Sequence, residues 1–236
     1  MKKLLIILMS VMSSALTAQS LEGAWEWTEV EEGREVRTVV IFADSYQVAT
    51  WYDANTGAFI STNGGLWSID GNTVTETVEF DTRDSANVGN QLSFDIEWDG
   101  EDKVKIVGME IWMNRIDAGD PGALAGAWLI SGRMRDGEIQ ERNTDRPRKT
   151  MKILSGTRFQ WIAYNTETKQ FMGSGGGTYT TVDGKYTENI EFFSRDDARV
   201  GASLEFNYEL KDGKWHHSGK SSKGSPMYEI WSVRQQ

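Results

Sequence analysis

One run of residues occurs twice. Leu21-Glu22-Gly23-Ala24-Trp25 returns as Leu124-Ala125-Gly126-Ala127-Trp128, and four further matches follow in the same order. Gly64-Gly65-Leu66-Trp67 corresponds to Gly176-Gly177-Thr178-Tyr179, and Thr75-Glu76-Thr77-Val78-Glu79-Phe80 to Thr187-Glu188-Asn189-Ile190-Glu191-Phe192. Arg83-Asp84 with Val88-Gly89 corresponds to Arg195-Asp196 with Val200-Gly201, and Glu110-Ile111-Trp112 with Arg115 to Glu229-Ile230-Trp231 with Arg234. Ordered matches across both halves mean duplication, so the chain must fold as two copies of one unit.

Each unit reads as strands. Val74, Glu76, Val78 and Phe80 alternate with Thr73, Thr75, Thr77 and Glu79, the period-2 pattern of a half-buried strand. Leu92, Phe94, Ile96 and Trp98 repeat that pattern, as do Leu204, Phe206, Tyr208 and Leu210. Turn signals such as Asp70-Gly71-Asn72, Asp99-Gly100, Asp183-Gly184 and Asp212-Gly213 separate the runs. This spacing predicts about eight strands per unit. An antiparallel meander of that length is best closed on itself, because closure removes exposed edges. The expected fold is all-β: two tandem small up-and-down antiparallel barrels over 21–117 and 124–236, with a Gly- and Pro-containing linker at 118–123.

Residues 1–20 read as a Sec signal peptide, with Lys2 and Lys3, an apolar run from Leu4 to Met12, and small polar residues before residue 20. The expectation is an exported protein, periplasmic or extracellular. The chain has no cysteine, so it is not expected to be a lipoprotein or to carry disulfides. With His216 and His217 as its only histidines, zinc, iron–sulfur and haem-thiolate sites are disfavoured, and no cofactor is expected. After the leader there is no long apolar stretch, so no integral membrane segment is predicted. Residues 21–117 hold 20 acidic and 6 basic side chains, whereas 118–236 hold 15 acidic and 17 basic. An acidic first unit argues against nucleic acid as partner. The asymmetry leaves open simple drift after duplication, or two faces that meet different partners or dock on each other.

Gly-x-Trp at the first strand, about eight strands and an arginine ending the last strand resemble the calycin superfamily. The chain is most similar to lipocalin-like domains of unknown function in exported proteins of Bacteroidetes-type bacteria. Gly176-Gly177-Thr178-Tyr179, Tyr186-Thr187-Glu188 and Leu210-Lys211-Asp212-Gly213-Lys214-Trp215 with His217 carry that resemblance. It implies that the first-strand tryptophan closes one barrel end beneath the last-strand arginine, pairing Trp25 with Arg115 and Trp128 with Arg234. It also implies a cavity for a small molecule, narrowed here because each unit is shorter than a typical lipocalin.

Candidate site residues follow from the strand phase. Glu76 falls on an apolar face between Val74 and Val78, and Glu188 repeats this between Tyr186 and Ile190. A carboxylate there is costly unless it is paired or functional. Either it meets an arginine or tyrosine hydroxyl, or it orients a ligand or serves as a general acid or base. His216 and His217 must face opposite sides of a strand, and His217 shares the inward side with Trp215. Glu188 and His217 are thus the catalytic candidates, should they converge within hydrogen-bond reach. Trp51 and Trp67 in the first unit, and Trp161, Tyr179, Tyr186, Tyr208 and Trp215 in the second, are candidates for a ligand-lined cavity or for plain core. Arg133, Arg135, Arg142, Arg146, Arg148, Lys149 and Lys152 form a basic cluster that could receive an anion, form a charged hairpin edge, or face the acidic unit. Arg83-Asp84 and Arg195-Asp196 read as local pairs ordering a loop.

The sequence contains no nucleophile elbow, phosphate loop or metal-ligand cluster. The leading expectation is a binder of a small amphipathic or apolar ligand, lipid-like or sugar. An isomerase, hydratase or lyase using Glu188 with His217 is one alternative, and a surface module for glycan or protein is another. Oligomeric state is left open.

Overall fold

The computed structural model describes residues 19–120, 122–220 and 224–235; most of the leader expected over residues 1–20 lies outside this set. Two antiparallel barrels stand in tandem. The first comprises β1 (Gly23–Glu31), β2 (Arg34–Ala43), β3 (Tyr46–Asp53), β4 (Phe59–Asp70), β5 (Thr73–Asp81), β6 (Gln91–Trp98), β7 (Lys103–Ile106) and β8 (Met113–Asp117). Each strand pairs with the next, and β8 closes on β1. The second comprises β9 (Gly126–Arg135), β11 (Arg148–Leu154), β12 (Arg158–Asn165), β13 (Gln170–Val182), β14 (Lys185–Phe193), β15 (Ser203–Lys211), β16 (Lys214–Lys220) and β17 (Pro226–Val233), closed by β17 on β9. A short extra strand, β10 (Glu138–Glu141), hairpins back onto β9. The expected all-β architecture of about eight strands per unit is what the chain adopts. Among the described residues no helix is long and apolar enough to cross a membrane.

The repeated motifs now have physical causes. The indole N–H of Trp25 donates to the Leu21 carbonyl at 2.8 Å, and Trp128 to Leu124 at 2.9 Å, so Leu-x-Gly-Ala-Trp is a plug that folds back on itself at the barrel end. Gly65 and Gly177 sit at β-bulges where a Cβ would lie 1.9 Å and 2.0 Å from the carbonyl oxygens of Thr77 and Asn189. Only glycine lets β4 and β13 bend there. Asp84 and Asp196 each accept a backbone N–H at the start of a 3₁₀ turn.

Three apolar clusters hold the molecule. One fills barrel 1 around Trp25, Val40, Phe42, Val74 and Val104. A second fills barrel 2 around Trp128, Phe159, Tyr186, Trp215 and Trp231. The third lies between the barrels and joins Val39, Ile41, Tyr52 and Phe80 to Met151, Ile153, Tyr164 and Phe192. Strand β2 is therefore buried on both faces, which is why Val39 to Ala43 is an unbroken apolar run rather than an alternating one. Phe80, expected beside Val74 and Val78, packs in this third cluster instead of the barrel 1 core.

Of the expected pairings, one holds and three are corrected. The Arg115 guanidinium does stack on Trp25, 4.1 Å from the ring centroid, and donates to the Ser20 and Glu22 carbonyls. Arg234 leaves Trp128, however, and crosses to barrel 1, where it lies over Tyr46 at 4.0 Å and pairs with Glu79 at 2.6 Å. A partly buried carboxylate offers it more than a ring on its own barrel does. The local Arg–Asp pairs do not form either. Arg83 reaches back to Ser61 Oγ (2.7 Å) and over Trp51, while Arg195 donates to the Met172 carbonyl, because the adjacent aspartates are occupied capping their turns.

Candidate functional site

Inside barrel 2, β14 delivers Glu188 and β16 delivers His217, both turned inward as the alternation predicts. Glu188 meets Lys152, whose Nζ lies 2.7 Å away, and both side chains are buried. The ammonium also sits 4.9 Å from the ring centroids of Tyr186 and Trp215 and 5.2 Å from that of Trp231. A desolvated cation so boxed gains from three ring faces as well as from its carboxylate. The sequence placed Lys152 in the surface basic cluster; its position in the apolar run Met151-Lys152-Ile153-Leu154 is the signal that it points inside. Glu188 is thus paired as one reading expected, with a lysine in place of an arginine.

His217 does not share a hydrogen bond with Glu188. Its Nδ1 lies 3.5 Å from Glu229 Oε2, and its ring packs on Phe206 at 4.3 Å between centroids. Burial, aided by the Lys152 charge, holds its imidazole below the ordinary histidine range, so it is neutral at pH 7. Burial pushes the Glu229 carboxyl up, but the His217 contact and the Lys152 charge outweigh it and leave the group below its ordinary value. Burial followed by the Glu188 charge raises the Tyr186 hydroxyl well above the usual tyrosine value. The rings touch continuously: Trp128 and Trp231 on Trp215, Trp215 and Tyr179 on Tyr186. Tyr179 donates to the Ser155 carbonyl at 2.6 Å, Trp161 leans on Phe193, and Tyr208 packs half-buried against the same cluster. These residues fill the barrel with one another.

Barrel 1 keeps only the carboxylate. Val40 stands where barrel 2 has Lys152, and among the described residues no cation pairs with Glu76. Burial pushes the Glu76 carboxyl up to about 7, against a smaller opposing pull from Gln47, and Asp81 adds to the rise. Glu76 therefore keeps its proton to a higher pH than an exposed glutamate does. Trp67 packs edge-on to Phe42, and Trp51 lies under Arg83 and beside Trp27.

A sizeable cavity lies elsewhere, at a place the repeat itself points to. Equivalent residues differ in number by 103 at Trp25 and Trp128, but by 112 at Phe42 and Leu154, so nine additional residues lie between them in the second unit. In barrel 1 the β1–β2 ladder is unbroken from Gly23↔Phe42 to Glu31↔Arg34. In barrel 2 the β9–β11 ladder stops at Leu129↔Met151, and β9 continues with β10 instead. The sheet opens there, leaving a cavity of about 350 Å³. Leu129 and Ile130 form its apolar wall, and Arg133, Arg142, Arg146, Arg148 and Lys149 surround it, with Glu141 the one acidic residue of the lining. Lys149 donates to the Thr144 carbonyl at 2.6 Å, whereas the four guanidiniums have no ion pair among the described residues. Burial, and then repulsion from Arg133 and Arg148, holds the Arg142 guanidinium below its ordinary value. Like charges are crowded here, and the nearby Glu229 carboxylate offsets them only in part. None of Glu188, His217 or the candidate aromatics lines this space. Arg133, Arg142, Arg146, Arg148 and Lys149 were legible in sequence as a basic cluster, but the opening that gathers them was not.

Residues 123–235, the whole of barrel 2, match a family described as a domain of unknown function, DUF4488. Among solved structures the chain is similar to an uncharacterized protein from Bacteroides eggerthii DSM 20697, at 14% identity and a TM-score of 0.33. That likeness covers 47% of this chain and 98% of the other. No curated protein matches the sequence.

Proposed function

We propose that the protein is a non-catalytic binder of a small amphipathic anion, held in the split of barrel 2 between β9, β10 and β11. The observation that carries this reading is the 350 Å³ cavity with four guanidiniums that make no ion pair among the described residues, beside an apolar wall. Its volume lies in the range of small-molecule sites. Arginine forks suit carboxylate, sulfate or phosphate, and a charge-assisted hydrogen bond contributes roughly 1.5–3 kcal/mol. The Leu129–Ile130 wall would take a short hydrocarbon or ring. The barrels are read as lipocalin-like, and the basic start and apolar run of residues 2–12 support export to the periplasm or beyond. The ligand then sits in a strand gap at the barrel edge, not in the ring-filled interior.

Calorimetric titration with octyl sulfate and with octanol tests this. Octyl sulfate is expected to bind, octanol is not, and Arg142→Glu with Arg148→Glu should weaken octyl sulfate by at least roughly 100-fold, the equivalent of two lost charged contacts at the low end of that range. Equal binding of octanol, unaffected by the charge reversal, would return the ligand to the barrel interior and sink the proposal.

A further inference from the structure

The contact between the barrels obeys a symmetry that the covalent chain does not require. With equivalent positions separated by 112 residues, Phe59 corresponds to Phe171, Tyr52 to Tyr164, Glu79 to Glu191, and Phe80 to Phe192. Tyr52 of barrel 1 donates to Glu191 of barrel 2 at 2.8 Å, and Tyr164 of barrel 2 donates to Glu79 of barrel 1. Tyr52 packs on Phe192 with centroids 5.3 Å apart, and Tyr164 on Phe80 at 4.9 Å. Phe59 stacks on Phe171, its own counterpart, at 5.9 Å with planes 6° apart. A pair of equivalent residues touching each other, flanked by contacts that occur in both directions, is the signature of a two-fold axis. Val39, Ile41, Met151 and Ile153, again two equivalent pairs, share the apolar floor around it.

Departures from the symmetry are local. Arg234 bonds Glu79, while its counterpart Arg115 stays on Trp25; Glu191 is met instead by Arg37 and Arg158. Gln160, which stands where barrel 1 has Val48, bonds Thr50, Thr62 and Ser174. Each change adds a polar bond to one half of the interface and leaves the reciprocal tyrosine–glutamate and ring contacts intact.

We infer that the chain is an isologous dimer carried in one polypeptide, and that the outer face of barrel 2 around Tyr164, Phe171, Glu191 and Phe192 accepts a second copy of barrel 2 in place of barrel 1. Such a homopair keeps Tyr164 on Glu191 twice, Phe171 on Phe171, and Phe192 on Tyr164 twice. It loses the anchor that Asp117 of barrel 1 gives to Ser155, Gly156 and Thr157, so it forms less readily than the native pair.

A protease site inserted in the 118–123 linker of the full chain provides the test. After cleavage the halves are expected to stay together on gel filtration, and native mass spectrometry of an exchanged mixture should show barrel 2 homopairs beside mixed pairs. Phe171→Lys places one lysine in each mixed pair but two facing each other in the homopair, so it should deplete homopairs about tenfold more. Mixed pairs alone, or separated halves, would overturn the inference. In the uncut chain, Phe59→Leu and Phe171→Leu should lower the melting temperature by similar amounts, whereas Tyr164→Phe should cost more than Tyr52→Phe, because the Tyr164 hydroxyl also accepts from Arg234 at 2.7 Å. A disparity greater than about twofold between the two phenylalanine variants would also overturn it, and this readout does not depend on the halves surviving apart.

Discussion

Glu76 allows a sharp test of the barrel 1 interior. Its carboxyl is pushed to about 7 from an ordinary 4.5, chiefly by burial, and no cation among the described residues answers it. A folded-state pKa above the unfolded one means that the folded protein holds the proton longer as pH rises. Stability then falls between pH 4.5 and 7 and is level above that. A difference of about 2.5 units at 1.36 kcal/mol each corresponds to a penalty of about 3 kcal/mol at pH 8. Glu76→Gln removes the titration, but its buried amide lacks full hydrogen bonding and costs about 1 kcal/mol. The variant is expected to be less stable than wild type by about 1 kcal/mol at pH 4.5 and more stable by about 2 kcal/mol at pH 8. Urea unfolding followed by tryptophan fluorescence across that range measures both ends. A stability difference that does not change with pH would show that Glu76 titrates alike in both states, and the argument from burial would fail.

Other outcomes follow from the same contacts. Lys152→Met leaves Glu188 buried without its cation and should cost about 3–5 kcal/mol in urea unfolding, most of it regained by adding Glu188→Leu, since a matched apolar pair needs no desolvation. Asp117 accepts five hydrogen bonds, from Gly119, Ser155, Gly156 and twice from Thr157, and these outweigh burial to hold its carboxyl below 3.8. Its contribution is therefore present above pH 3.8 and lost as pH falls through the lower folded value. Asp117→Ala should cost about 2 kcal/mol at pH 7 and nothing in strong acid, as read by thermal melts at both pH values. Replacing residues 135–145 with Asn-Gly should abolish octyl sulfate binding while sparing the far-ultraviolet circular dichroism, because barrel 1 closes the same connection with only Glu32-Gly33.

Much of the barrel was readable from the chain because period-2 alternation and turn residues act locally. Glu188 and His217 turn inward because their neighbours Tyr186, Ile190 and Trp215 do. What they meet there was not readable, since Lys152 comes from a strand 36 residues away and barrel closure alone brings it to Glu188. Lys152 was read with the arginines around it because charge in sequence gives no face; only the apolar residues on either side of it mark the strand as core. The continuous run Val39 to Ala43 held the corresponding hint for the barrel–barrel interface. A strand apolar on both sides needs two partners, and the second partner was the other copy.

The sequence by itself determined two barrels and their strand phase, because repeats and alternation are properties of the chain. Tertiary structure alone decided that Arg234 leaves Trp128 for Glu79, that the barrels meet about a two-fold axis, and that the extra residues open a cationic cavity. Those outcomes depend on desolvation and on which surfaces approach in space, and local pattern carries no record of either.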